Sequence, residues 1–258
     1  MRGFKALGFA AVASVLLAGS LQAQATQGWL QWYDTGLNPL VGRFSNVTEG
    51  ANDRSVYTSP YRAQFRIDAP ASPLMPPAGD GTFGPPWDIF CIDYANTALR
   101  GPYVAYFTNL SSTADLGKTR LGSGGLAKYL AAAYLSQEIS TLGFSTAAEK
   151  AERNDINGAI WQIMTGTPFW RRSGTGWVNT RINELWSEAY LVSGTDTWRT
   201  ANASNWVVVT DEAAVGRAQG GSQEYLTQVT PEPATMLLLG TGLVVMLMAA
   251  GALRRPTV

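Results

Sequence analysis

The residues most able to do chemistry in this chain are a single cysteine, Cys91, and a scatter of carboxylates. The chain has no histidine, so a general base with a pKa near neutrality is missing and the Ser-His-Asp and Cys-His catalytic designs are excluded. Metal sites that need histidine or several cysteine ligands are excluded too. The enzyme designs that remain need a carboxylate pair, a Ser-Lys pair, or an Asp/Glu site for calcium or magnesium.

The spacing of the carboxylates singles out no pair and no regular calcium loop. The candidates are Asp53, Asp68, Asp80, Asp88, Asp93 and Glu152. A P-loop and a dinucleotide-binding fingerprint are also missing from the sequence. We therefore predict that the protein is not an enzyme and has no catalytic residue, cofactor or metal. The net charge is zero, with 19 Lys+Arg and 19 Asp+Glu, which argues against a nucleic-acid partner.

The N-terminus is typical of a secretory signal peptide over residues 1–25. Arg2 and Lys5 give it a positive start, and residues 6–17 form an apolar run too short to span a bilayer. Ala23-Gln24-Ala25 has the small-x-small pattern of a cleavage site, so the mature chain is predicted to begin at Thr26. With one cysteine, no intramolecular disulfide can form, and the exported body must be stabilised by core burial.

The C-terminus has the pattern of a membrane span. Residues 236–253 carry no charge, and at 1.5 Å per residue they just cross a hydrocarbon core of about 30 Å. Arg254 and Arg255 follow directly, and positive charge is retained on the cytoplasmic side. We therefore predict a transmembrane helix that anchors the chain in the inner membrane with its body outside.

The segment before this span resembles a known sorting signal. Pro231-Glu232-Pro233, then the apolar run, then Arg254 and Arg255, is similar to the bacterial PEP-CTERM signal. The resemblance implies that residues 230–258 are recognised by an exosortase, a membrane protease-transpeptidase, and processed near Pro231 to Pro233. It also implies delivery of the body to the cell surface or an extracellular matrix, with exopolysaccharide or other surface proteins as candidate partners.

The body between the two ends alternates between strand and helix patterns. Strands are predicted at residues 29–34, 61–67, 87–94, 103–110, 205–211 and 223–229. The strands at 87–94 and 103–110 are expected to form a hairpin or to be neighbours. A helical block covers about 123–191, with a capping box at Thr146 and Glu149 and a further helix from Asn179 or Thr180. The fold class is therefore α+β, a β-sandwich or barrel-like domain over residues 26–229 with a helical insertion.

Two pieces of the body resemble bacterial surface thioester domains. "FCIDY", which contains Cys91, resembles their cysteine motif, and "INGAIW" at residues 156–161 resembles their Gln-x-Ala-Ile-Trp helix motif. In that family the cysteine sulfur joins the glutamine carbonyl with loss of ammonia, giving an electrophile that captures amines. Here Asn157 stands in place of the glutamine, and Gln162 lies on another helix face.

Other interpretations of these residues remain open. Cys91 also fits a small buried residue in a strand, which is the favoured interpretation, or an exposed thiol that cross-links chains. Trp170, Trp177, Trp186 and Trp198 fit either core packing or a sugar-binding platform, and Trp177 is the one expected to be most exposed. We predict a non-catalytic structural or adhesive body, with covalent adhesion through Cys91 or a carbohydrate-binding or carbohydrate-active module as alternatives.

Overall fold

The computed structural model describes residues 25–35, 40–66, 83–111 and 113–229. The predicted leader and the predicted span at 236–253 lie outside these residues. Among the residues described, no helix combines the length and the apolar character needed to cross a bilayer.

Ten strands form two separate sheets in the described part of the chain. The strands are β1 (Thr26–Asp34), β2 (Leu40–Asn46), β3 (Arg54–Thr58), β4 (Tyr61–Arg66), β5 (Trp87–Cys91), β6 (Tyr103–Asn109), β7 (Phe169–Ser173), β8 (Gly176–Val178), β9 (Trp206–Asp211) and β10 (Tyr225–Gln228). Six of them close into a barrel in the order β1-β4-β5-β10-β9-β6, and every neighbouring pair is antiparallel. The other four form a sheet in the order β3-β2-β7-β8.

Four helices follow the sixth strand and return the chain to the barrel. They are α1 (Leu126–Thr141), α2 (Ala147–Thr165), α3 (Thr180–Ser193) and α4 (Asp196–Asn202). The predicted capping box is confirmed, because the Thr146 hydroxyl accepts from the Glu149 N–H and the Glu149 carboxylate accepts from the Thr146 N–H. The predicted start of a helix at Thr180 is also confirmed.

The fold class is confirmed as α+β, and the barrel is the correct form of its β part. Two details of the prediction are wrong. The strands β5 and β6 are not neighbours, because β5 pairs with β4 and β10 while β6 pairs with β1 and β9. The predicted helical block at 123–191 is interrupted by the β7–β8 hairpin, and α4 extends it beyond 191.

The alternation of side chains along the barrel strands creates two cores. On β5, Ile89 and Cys91 join the cluster inside the barrel, whereas Phe90 joins the cluster between the barrel and the helices. Helix α2 is central to the second core. Gly158 lies so close to α3 that a Cβ atom there would come within 2.7 Å of the Ile182 side chain. Helices α2 and α3 therefore pack closely against each other, and their core includes Phe90 of β5.

Candidate functional site

Cys91 lies at the end of β5 and is 1% exposed. Its sulfhydryl donates to the Asp93 carbonyl at 3.3 Å, and burial, together with the nearby Asp93 carboxylate, raises its pKa to about 12. A thiol in this setting stays protonated at neutral pH and is a poor nucleophile. The structure thus supports the interpretation of Cys91 as a small buried residue rather than an exposed cross-linking thiol.

Asn157 lies on α2 and is fully buried. Its Oδ1 accepts from the Ser59 N–H at 3.1 Å, and its Nδ2 donates to the Arg153 carbonyl at 2.8 Å. The Cys91 N–H donates to the Ser59 Oγ at 2.7 Å. Ser59 therefore bridges Cys91 and Asn157, so the two pieces that resemble the thioester motifs meet in space, with both amide atoms of Asn157 already hydrogen bonded.

Trp161 makes a second connection between the same two pieces. Its indole Nε1 donates to the Cys91 carbonyl at 3.2 Å, and its ring packs edge-on against Phe44 at 5.0 Å between centroids. Gln162 faces elsewhere, as predicted. Its side chain contacts Asn183 on α3 and the Phe169 N–H on β7.

A buried polar cluster beside Cys91 is absent from the sequence-based prediction. Arg120 lies 2.9 Å from the Asp93 carboxylate and donates to the carbonyls of the 217–222 loop. Glu224 is 1% exposed and accepts from the Arg120 N–H and from the hydroxyls of Thr210 and Tyr129. Arg120 and Tyr129 lie 104 and 95 positions from Glu224 in the chain, and no local pattern connects them with it.

Three of the six candidate carboxylates pair with arginines. Asp53 pairs with Arg43, Asp93 with Arg120 and Glu152 with Arg181, while Asp68 and Asp80 lie outside the described residues. Burial raises the pKa of Asp88, an effect partly offset by Arg62 and Arg153. In the part of the chain that the structure describes, no group of three or more Cys, Asp or Glu side chains is arranged to hold a metal ion.

The four candidate platform tryptophans are dispersed. Trp198 is 9% exposed, and its ring lies edge-on to Tyr134. Trp170 and Trp177 are half-buried on the four-stranded sheet, where the Arg172 guanidinium lies over the Trp177 ring. Trp186, at 39% exposed, is the most open of the four, so the expectation that Trp177 would be is wrong.

A cavity of about 410 Å³ opens where β5 begins and β10 ends. Its wall is formed by Pro86, Trp87, Asp88, Phe90, Ser140 and Gln228. Gln228 is the last residue of β10, and the next residue, Val229, is held by its N–H donating to the Asn205 carbonyl at 2.7 Å. Val229, which is held to the fold by this bond, precedes Pro231, the first residue of the Pro-Glu-Pro triplet, by two positions.

Comparison with known families identifies the segment that follows β10. Residues 229–255 match the family model of the PEP-CTERM protein-sorting motif. Searches of curated proteins and of solved structures found no match to the chain. The match includes Pro231, Glu232, Pro233, Arg254 and Arg255, all of which lie outside the described residues. The chain thus carries, directly after its last barrel strand, the PEP-CTERM motif of an exported protein sorted by an exosortase.

Proposed function

We propose that this protein is an exosortase substrate whose barrel-and-helix body has a structural or adhesive role at the cell surface or in the extracellular matrix. The observation that carries the proposal is the PEP-CTERM match at residues 229–255. In this proposal the leader is removed before Thr26, and residues 236–253 hold the chain in the inner membrane. Processing near Pro231 to Pro233 then delivers the body to its partners, which are exopolysaccharide or other surface proteins.

The position of the motif supports this order of events. Because β10 is an inner strand of the closed barrel and ends at Gln228, a cut at or after Pro231 removes no strand of the body. The released body would keep every hydrogen bond between β10 and its neighbours β5 and β9. Processing therefore yields a complete folded domain.

The polar interior supports a structural rather than catalytic body. The buried charges Arg120, Asp93 and Glu224 contact one another, backbone groups and polar side chains of the fold. These contacts connect segments that are distant in the chain. A buried network of this kind stabilises a single packing arrangement of the domain, as expected for a structural role.

The test is to follow the full chain in cells that contain an exosortase. We expect the mature body to begin at Thr26 and to end within residues 230–233, as measured by intact mass, and to appear in the surface or matrix fraction. A variant with Pro231, Glu232 and Pro233 all changed to alanine should remain as the tailed form in the membrane fraction. Equal processing of that variant and the parent would contradict the proposal.

Covalent capture through Cys91 and Asn157 is a second candidate, favoured by the bridge through Ser59. In this reaction Sγ bonds to Cγ of the Asn157 amide, the C–N bond breaks, and the nitrogen leaves as ammonia with the thiol proton. Folded protein would then be lighter by one ammonia, and Cys91 would resist alkylation. Full unmodified mass, with Cys91 alkylated only after denaturation, would exclude this candidate and agree with its burial.

A further inference from the structure

Both ends of the described chain leave the barrel at the same end. Strands β1, β5 and β9 begin there, while β4, β6 and β10 finish there, because each strand is antiparallel to its neighbours. We call this the tail end of the barrel, defined by Thr26, Arg66, Trp87, Asn109, Trp206 and Gln228. The cavity lined by Trp87, Asp88, Ser140 and Gln228 opens beside it.

The number of residues in the tail limits how far an enzyme can stay from this surface. Val229 is fixed to Asn205, and a fully extended chain gains at most about 3.6 Å per residue. Pro231 therefore lies within about 7 Å of Val229, and residue 236, where the predicted membrane span begins, lies within about 25 Å. An enzyme embedded in the membrane must work in this narrow gap.

A protease also needs room on both sides of the bond that it cuts, because it binds several substrate residues in extended form. For a cut between Pro231 and Pro233, the residues on the N-terminal side include Gln228 and Val229, which belong to the folded barrel. The enzyme's contact area consequently reaches the tail end of the barrel, where it meets the cavity.

We propose that the tail end of the barrel, centred on the cavity at Trp87, Asp88, Ser140 and Gln228, is a contact surface for the membrane enzyme that processes the tail. The cavity places the exposed Asp88 beside Pro86 and Trp87, which are partly exposed, whereas Phe90 is only 2% exposed. It suits a basic side chain whose stem packs on Trp87 and whose charge meets the Asp88 carboxylate. This inference rests on the proposed sorting function and adds that the enzyme recognises the body as well as the motif.

The test compares two arginine substitutions at exposed polar residues, Ser140→Arg at the cavity and Gln219→Arg in the loop at the opposite barrel end. The measurement is the rate at which the tailed chain becomes the mature body in cells with an exosortase. Ser140→Arg places positive charge and bulk in the cavity, so we expect processing to slow about fivefold or more, the effect of losing roughly 1 kcal/mol of contact energy. Gln219→Arg should process at the parent rate.

Two further variants show whether contact at the cavity causes the slower processing. Inserting about ten Gly/Ser residues after Val229 adds roughly 18 Å between the barrel and the sorting motif. The enzyme can then bind the motif without touching the barrel, so Ser140→Arg should not slow the processing of this extended protein. Asp88→Asn, at native spacing, should slow processing without adding bulk. The inference would be overturned if Ser140→Arg were processed as fast as Gln219→Arg. It would also be overturned if Ser140→Arg slowed the processing of the extended protein as much as that of the parent. Processing of the triple alanine variant would instead overturn the sorting function itself.

Discussion

The indole nitrogen of Trp161 donates to the carbonyl oxygen of Cys91 at 3.2 Å, and this bond joins helix α2 to the end of barrel strand β5. Trp161 is 1% exposed and contacts the rings of Phe44, Tyr94 and Phe169. The residue thus connects the helices, the barrel and the four-stranded sheet at one point.

Replacing Trp161 by phenylalanine should therefore weaken the whole domain. The change leaves the Cys91 carbonyl without its donor and opens space beside Phe44, for a combined loss of about 2–4 kcal/mol in the free energy of unfolding. Denaturant titration of the purified 26–229 body measures it. Trp186→Phe, at an exposed helix position, is the matched control and should change stability by no more than about 0.5 kcal/mol.

Lengthening Asn157 to glutamine should also destabilise the domain, although it restores the residue of the family pattern. Asn157 is fully buried with both amide atoms bonded, so one more methylene overpacks the site and costs about 1–3 kcal/mol. Urea titration provides the stability, and intact mass shows in the same sample whether ammonia has been lost. An Asn157→Gln protein that is as stable as the parent would show that the site has room for the longer side chain.

The ion pair between Arg120 and Asp93 should matter far more than the pair between Arg43 and Asp53. Arg120 and Asp93 have side chains that are 5% and 9% exposed, whereas those of Arg43 and Asp53 are 54% and 29% exposed. Asp93→Asn removes the carboxylate that neutralises the buried Arg120 guanidinium and should lower the free energy of unfolding by about 3–5 kcal/mol. Asp53→Asn should lower it by about 1 kcal/mol or less. Similar losses in the two variants would mean that burial does not set the strength of these pairs.

The capping box makes stability depend on pH in a defined direction. Hydrogen bonds from Thr146 and Ser145 lower the pKa of Glu149 below its ordinary value of 4.5. A lowered pKa in the folded state gives a contribution that is present above pH 4.5 and is lost as the pH falls through the folded-state pKa. Glu149→Gln should therefore have a lower melting temperature than the parent at neutral pH, with a difference that shrinks in acid. Glu49→Gln, in an exposed turn, should show no such trend.

Local patterns were enough to predict the six barrel strands and the three longer helices. The apolar stripe of α2 and its Thr146–Glu149 cap are contained within the helix and its first turn, so sequence alone indicates them. The alternation in β1 and β4 indicates strands for the same reason. The β7–β8 hairpin was missed because its strands are short and its apolar residues are mixed with Arg171 and Arg172, although Gly174 in the turn, at φ +58°, was a signal.

Closure of the barrel could not be predicted in this way. It requires β10 to insert between β5 and β9, pairing Tyr225 with Cys91 across more than a hundred residues. The same limitation applies to the candidate site. The residues around Ser59 in the sequence do not indicate that it forms hydrogen bonds with both Cys91 and Asn157. Those bonds form only when three distant segments of the chain pack together. The sorting motif, by contrast, is continuous in the chain and could be identified from its residues directly.

The shared exit of both chain ends from one end of the barrel has a mechanical consequence. Tension applied between Thr26 and Val229 would pull β1 and β10 away from their neighbours starting at one edge, so that hydrogen bonds would break one after another rather than all together. A barrel loaded in this direction would yield at low force by unzipping. The same barrel pulled between Thr26 and the loop at 217–222, which lie at opposite ends, would be loaded in shear, along the strands, and would resist much better.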